Sequence, residues 1–360
     1  MRLVVTGGGT GGHVYPALVV LEWLRASGFS VDPLWAGSGL RLEERIVSRA
    51  GIPYARLPVG ALRGRTPVGM ARGLGATLAG VGAALRLLNH VRPAVVLATG
   101  GYVSAPTVLA ARLKGIPSLV YLPDVVPGWA VRLLSRVATL VATSTAEARR
   151  YLPREVVVTG YPVRPGFVPR EATTARAEFG LAPDRFTLTV VGGSLGAKRL
   201  NEAVLARLPV LLERGQLIHL TGEAEYPRAI SARAALPMSL HARYYPTAYL
   251  DAEMPVALAA ADLIVSRAGA SILGEYPAIG RASVLVPGPF SSQQANADYL
   301  VRKGASVLIP NERADEIVSC ALALADAPDR LSAMATAARA LACPDAAGAI
   351  ARLLLELGRQ

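Results

Sequence analysis

The 360-residue chain is 52% hydrophobic and 18% charged, the reverse of the balance that keeps a segment disordered, and its length suits two domains rather than one core. Its 35 glycines and 26 prolines follow no three-residue period, which excludes a collagen-like chain, and Cys320 and Cys343 are too few for a disulfide framework or a cysteine-based zinc site. The formal net charge of +12 falls wholly on residues 1–164, with 19 Arg and Lys against 7 Asp and Glu; residues 165–360 balance at 19 and 19.

That asymmetry points to an anionic partner for the first half: nucleic acid, anionic lipid or a phosphorylated substrate. An arginine-rich background (35 Arg, 3 Lys) accounts for the total but not for its placement. The arginines are dispersed, and no zinc finger, helix-turn-helix or RNP string accompanies them, so nucleic acid is not the expected partner. Met1-Arg2 runs directly into an apolar strand, without signal-peptide architecture. The longest weakly polar run, residues 73–85, is 13 residues, short of the roughly 20 that span a bilayer. A reducing cytosol, with peripheral membrane contact at most, is the expected setting.

Short β-branched runs alternate with Ala/Leu/Arg-rich segments, the signature of an α/β protein. Strands are expected at 3–6, 31–35, 95–99, 118–122, 140–143 and 156–159. Pro162, Pro165 and Pro169 then interrupt both periodicities, which puts a linker near Arg164. A second set of strands is expected at 187–191, 216–220, 263–266, 283–286 and 306–309, and a last helix at 346–357. The division is 1–164, 165–343 and a C-terminal helical segment, 344–360, able to pack back on the first domain. An internal repeat supports it: Leu3-Val-Val-Thr-Gly-Gly-Gly-Thr-Gly-Gly12 has its echo in Leu188-Thr-Val-Val-Gly-Gly-Ser-Leu-Gly-Ala197. Each is a buried strand, a glycine-rich turn and a helix start, so two Rossmann-like units with a cleft between them are expected.

The glycine loops carry the chemistry. Gly7 to Gly12 end the first strand, where a backbone without Cβ atoms and a helix N-terminus suit an anion. The string satisfies G-x-G-x-x-G, but no acid closes the second strand, where Trp35-Ala36-Gly37-Ser38 stands instead, so a dinucleotide is disfavoured. No Gly-Lys-Ser/Thr follows, which excludes a P-loop. Thr99-Gly100-Gly101-Tyr102-Val103-Ser104 is a further strand–loop–helix junction. Tight turns alone would account for any single loop. His13 stands where the first loop becomes a helix, and it reads either as a neutral base or as a hydrogen-bonding residue. No metal-ligand spacing is present. In the second half, Glu275 lies in the first turn of a helix, placed either to accept from a vicinal diol or to complement the helix dipole. Gln293, Gln294 and Asn296 group amides suited to hydroxyl-rich ligands. Arg267 reads as a phosphate or carbonyl contact or as a surface ion pair.

Taken in order, Gly8-Gly9-Thr10-Gly11-Gly12-His13, Gly100-Gly101-Tyr102-Val103-Ser104, Pro162-Val163-Arg164, Gly192-Gly193-Ser194-x-Gly196-Ala197, Ser266-Arg267-x-Gly269-Ala270, Glu275 and Gln293-Gln294-x-Asn296-Ala297 resemble the MurG family of N-acetylglucosaminyltransferases, in glycosyltransferase family 28. The resemblance covers nearly the whole chain. It implies a GT-B fold, two Rossmann-like domains separated by a deep cleft. It implies UDP-N-acetylglucosamine as donor, contacted by Thr10, Gly11, Gly12, Arg164, Gly193, Ser194, Gly196, Asp251, Arg267, Gly269, Ala270, Glu275, Gln293, Gln294 and Asn296. Of these, Gly193, Ser194 and Gly196 would take the diphosphate, Glu275 the ribose, the two glutamines the sugar, and backbone near Asp251 the uracil. The implied acceptor is polyprenyl-pyrophosphoryl-N-acetylmuramyl-pentapeptide, its pyrophosphate on Gly8, Gly9, Gly100, Gly101, Tyr102, Ser104 and Asp124. His13 would serve as catalytic base in an inverting transfer to the muramyl 4-hydroxyl, giving lipid II, with no cofactor or metal required. Cell-wall synthesis proteins are implied partners, and the cytoplasmic face of the plasma membrane is the implied location.

The sequence departs from the family's pattern mainly on the acceptor side. Tyr121-Leu122-Pro123-Asp124 stands where His-Glu-Gln-Asn is usual, Val131 replaces a common Asn, and Ile272 replaces a Thr. A diacylglycerol acceptor is therefore an alternative, as are a sugar-nucleotide 2-epimerase and a non-catalytic nucleotide-sugar sensor. Residues 68–88 place Met70, Leu74, Leu78, Val81, Leu85 and Leu88 at helix-face spacing, flanked by Arg63, Arg65, Arg72, Arg86 and Arg92. That segment reads either as an interfacial helix for an anionic membrane surface or as a helix packed on the sheet.

Overall fold

The computed structural model describes residues 1–8, 11–60, 67–192, 197–289 and 291–359. They form two compact units, one of Met1–Arg164 with Cys343–Gln360, the other of Pro165–Ala342. Residues 161–170 hold no regular element.

In the first unit β1 (Arg2–Thr6), β2 (Asp32–Gly37), β3 (Tyr54–Arg56), β4 (Val95–Ala98), β5 (Ser118–Leu122), β6 (Leu140–Thr143) and β7 (Val157–Val158) form a sheet of order β3-β2-β1-β4-β5-β6-β7. In the second, β8 (Thr187–Val191), β9 (Gln216–Leu220), β10 (Tyr244–Thr247), β11 (Leu263–Ser266), β12 (Ala282–Leu285) and β13 (Ser306–Leu308) follow the order β10-β9-β8-β11-β12-β13. Every pairing is parallel. Both orders are the doubly wound arrangement that the internal repeat implies.

Central parallel strands are covered on both faces, so they read as unbroken apolar runs. Leu3 and Val5 of β1 face a core shared with Leu21, Leu24 and Trp35, while Val4 between them faces Ala84, Leu88 and Val96 on the other side. The helix Ala346–Leu357 packs on the helix Gly11–Ala26, with Ile350, Ala351 and Leu354 inside the Leu3/Val5 core. Their approach is close enough that a Cβ on Gly348 would lie 2.9 Å from the Trp23 ring.

Two strands escape a reading based on apolar runs. β3 is a three-residue edge strand, Tyr-Ala-Arg, and β10 is an edge strand that carries Pro246. Edges are where short strands and proline are tolerated. The expected strand at 156–159 is reduced to Val157–Val158.

The helix expected at 68–88 extends over Pro67–Val91. Leu88 and Ala84 are buried against β1 and β4, and Leu85 packs beside them, whereas Leu78 is 64% exposed. The last turns thus pack on the sheet, and Leu78 does not. Arg63 and Arg65, and the side chains of Met70, Arg72 and Leu74, lie outside what is described. Among the described residues, no helix is long and apolar enough to cross a membrane.

The second unit buries a polar chain inside its apolar core. Asn201 donates through Nδ2 to the Thr221 carbonyl at 2.8 Å, which leaves its Oδ1 to accept from His219 Nε2 at 3.1 Å. That assignment makes Nδ1 an acceptor for the Tyr244 hydroxyl at 3.0 Å, so His219 is neutral. Burial drives its pKa down to about 3 from the ordinary 6.5. The unfolded chain therefore binds a proton that the folded chain refuses, and stability declines as pH falls from 6.5 towards 3. Urea unfolding between pH 4 and 6 (about two units within that window) should show His219→Gln with an acid limb shallower by about 1.4 kcal/mol per pH unit.

Candidate active site

In the first sheet the strand order reverses between β1 and β4, and the loops after these two neighbours part there. β1 ends in Thr6-Gly7-Gly8 and the helix Gly11–Ala26 opens after it. β4 is followed by Thr99-Gly100-Gly101, with φ of 107° and 81° at the two glycines, a left-handed region that disfavours side chains. The loops touch: a Cβ on Gly101 would lie 2.7 Å from the Gly8 carbonyl oxygen, and one on Gly100 would lie 2.9 Å from His13 Cδ2. The His13 imidazole therefore lies against Gly100. Thr99 donates through Oγ1 to the His13 carbonyl, tying the start of one helix to the end of the other strand.

Tyr102 is half-buried in the short 3-10 turn Tyr102–Ser104. Ser104, which the resemblance puts at the pyrophosphate, is fully buried and donates to the Gly100 carbonyl at 2.9 Å. It holds the loop's shape from beneath. Arg164 sits 4.7 Å from the centre of the Tyr15 ring, a cation–π contact beside the helix start that contains Gly11 and Gly12. Asp124 is half-buried just past β5. Gly9 and Thr10 lie outside the described residues. The departures Tyr121 and Leu122 are buried in β5, and the Tyr121 hydroxyl donates to the Gly160 carbonyl at 3.1 Å. Pro123 is buried too, so three of the four unusual residues lie in the interior.

The second sheet repeats the reversal between β8 and β11. Gly193, Ser194 and Gly196 lie outside the described residues; the helix Lys198–Ala206 follows them. After β11, Arg267, Gly269 and Ala270 lead into the helix Ile272–Ile279, with half-buried Glu275 in its first turn. Arg267 donates through Nη1 to Asn311 Oδ1 at 2.7 Å and to the Val286 carbonyl at 3.0 Å. Burial first, then the nearby Arg199, lowers its pKa from the ordinary arginine value. It is a cation fixed by carbonyl oxygens at the carboxyl edge of the sheet.

The three amides diverge. Asn296 is fully buried and donates to the Ala268 carbonyl at 3.1 Å. Gln293 accepts from the Gly288 amide through Oε1 at 2.7 Å, and Gln294 donates to Asp298 Oδ1 at 2.8 Å. Asn296 and Gln293 thus brace the loops after β11 and β12. Asp251 is exposed just before the helix Met254–Ala259. Thr99 is a site residue that the sequence reading does not single out. Its signal is the hydroxyl immediately before Gly100-Gly101.

Two parallel α/β units, each with a strand–turn–helix junction at its switch point, define a protein of the GT-B class. The family 28 glycosyltransferase N-terminal domain matches residues 3–143, and the family's C-terminal domain matches residues 187–350. A relative from Roseiflexus sp. is 42% identical over 98% of this chain and 94% of its own length, and one from Desulforudis audaxviator is 36% identical over 99% and 98%. Both are named UDP-N-acetylglucosamine–N-acetylmuramyl-(pentapeptide) pyrophosphoryl-undecaprenol N-acetylglucosamine transferase. The crystal structure of Acinetobacter baumannii MurG superposes with a TM-score of 0.76 at 28% identity, covering 99% of each chain. A UDP-GlcNAc 2-epimerase from Neisseria meningitidis superposes at 0.70 with 16% identity, a likeness of fold alone. The chain belongs to glycosyltransferase family 28.

Removing the Asn296 amide leaves the buried Ala268 carbonyl without that donor. Asn296→Ala should cost about 1–3 kcal/mol in urea unfolding. A loss near zero would show that this amide does not brace the loop.

Proposed function

We propose that the protein transfers N-acetylglucosamine from UDP-N-acetylglucosamine to the 4-hydroxyl of a polyprenyl-pyrophosphoryl-N-acetylmuramyl-pentapeptide, forming lipid II. The observation that carries this reading is the full-length match to relatives named for that reaction.

In this reading the second unit holds the donor. Gly193, Ser194 and Gly196 take its diphosphate at the start of the helix Lys198–Ala206. Arg267 adds positive charge, Glu275 accepts from the ribose hydroxyls, Gln293 and Gln294 meet the sugar, and Asp251 marks the uracil end. The first unit holds the acceptor pyrophosphate on the backbone of Gly8, Gly9, Gly100, Gly101 and Tyr102. His13 takes the proton from the muramyl hydroxyl as that oxygen attacks C1 from the face opposite UDP. The C1–phosphate bond breaks, UDP leaves with the electron pair, and the linkage is inverted. Charge developing on UDP meets a helix N-terminus and a guanidinium already in place, so no cofactor enters this scheme.

Exposed Trp129 and Leu133 share the helix Trp129–Val137 with Arg132 and Arg136, and Leu78 is exposed on the helix Pro67–Val91. Apolar side chains among arginines suit an anionic surface, in keeping with a peripheral position on the cytoplasmic face of the membrane.

Incubation with labelled UDP-N-acetylglucosamine and a short-chain lipid-linked acceptor, with EDTA present, should yield UDP and a β-linked disaccharide. Conversion of the donor to its manno epimer, or binding without product, would overturn the reading. His13→Ala should lower kcat by about 10²–10⁴-fold while UDP binding persists; normal turnover removes His13 from the mechanism. Gly101→Ala should raise the acceptor KM about tenfold and spare the donor KM, because the added methyl meets the Gly8 carbonyl. An unchanged acceptor KM would move the acceptor off these loops.

A further inference from the structure

Glu43 lies in the first turn of the helix Arg41–Arg49, where an acid needs only to face solvent near the positive end of the dipole. Its side chain instead turns inward and is 2% exposed. Four neutral donors converge on it. Oε1 accepts from Trp35 Nε1 at 3.2 Å, the Ser38 amide at 3.2 Å and the Tyr54 hydroxyl at 2.7 Å, and Oε2 accepts from Ser38 Oγ at 3.0 Å. The Tyr54 hydroxyl accepts in turn from the Gly39 amide at 2.8 Å. Burial, then the bond to Glu43, pushes the Tyr54 pKa up, so this donor keeps its proton.

A buried carboxylate is a costly way to gain stability, since well-packed apolar residues of similar volume often do as well. What this one touches suggests another role. A Cβ on Gly37 would overlap Oε1, and a Cβ on Gly8 would overlap Oε2. The carboxylate therefore fills the space under Gly8, and Gly8 presents its carbonyl to Gly101 from within the same turn. Glu43, Gly8 and Gly101 form one stack that reaches from β2 across the end of β1 to the loop after β4.

We propose that Glu43 is a positioning residue for acceptor binding: its carboxylate, clamped by Trp35, Ser38 and Tyr54, sets the depth of Gly8 and so the spacing of the two glycine loops. This rests on the placement of the acceptor pyrophosphate on those loops. Glu43 touches no reacting atom and acts through backbone.

Steady-state kinetics with both substrates varied test it. Glu43→Ala should raise the acceptor KM about tenfold and leave the donor KM and UDP binding unchanged. Glu43→Gln, whose carbonyl oxygen can still accept the three Oε1 donors, should return the acceptor KM to within about threefold of the parent. Glu43→Asp keeps the charge but withdraws it by one methylene, and should resemble the alanine variant; it decides the matter if Glu43→Ala does not fold. A cycle with Gly8→Ala reads the contact directly. The added methyl should be markedly less harmful to the acceptor KM when Glu43 is Ala, because it enters vacated space. A lower melting temperature with an unchanged acceptor KM would overturn the proposal, as would a Gly8→Ala penalty equal in both backgrounds. Gly101→Ala separates the two ideas. If it raises the acceptor KM while the Glu43 variants do not, only the role of Glu43 fails; if neither moves it, the acceptor placement fails as well.

Discussion

Both sheets are governed by the same geometric fact. β1 and β4 run parallel and adjacent, yet the chain leaves β1 towards β2 on one side and leaves β4 towards β5 on the other. The loops that follow must diverge, which opens a gap at the carboxyl edge. Because neighbouring strands lie only about 4.7–4.9 Å apart, the two loops begin almost in contact. That is why the Gly8 carbonyl lies against Gly101, and why His13 is brought over Gly100. β8 and β11 repeat the arrangement, and Arg267 stands at the second reversal where the first has bare glycine backbone.

Around these gaps, polar side chains are used to hold backbone. Ser104 takes the Gly100 carbonyl, Thr99 the His13 carbonyl and Asn296 the Ala268 carbonyl, while Gln293 receives the Gly288 amide. Binding loops gain precision when their own carbonyls are satisfied from behind, since each hydrogen bond removes a freedom that a ligand would otherwise have to freeze out. The neutral His219–Asn201–Tyr244 chain works on a larger scale, tying the helix Lys198–Ala206 to β9 and β10.

The architecture was legible because parallel strands buried on both faces announce themselves as β-branched runs, and because glycine-rich strings recur after a strand in the two halves of the sequence. The edges were not. Tyr54–Arg56 is too short for any periodicity, and Tyr244–Thr247 contains a proline that argues against a strand anywhere but at a margin. Residue type alone located the loops of the site, but it could not tell which way a side chain turns. Ser104 and Asn296 look like ligand contacts and are engaged beneath the loops. Glu43 looks like an ordinary helix-start acid, and only its convergence with Trp35, Ser38 and Tyr54, which come from β2, the loop after it and β3, reveals its place. Of the four departures in β5 and just after it, Tyr121, Leu122 and Pro123 fall in the interior, which shifts their meaning from recognition to packing.

The helix Ala346–Leu357 supplies Ile350, Ala351 and Leu354 to the core beneath β1. During synthesis those residues leave the ribosome only after the whole of Pro165–Ala342. The unit that begins first is therefore completed last, and its nascent form must wait with an apolar face uncovered while the other unit folds. Chaperone engagement of the growing chain would fall naturally in that interval.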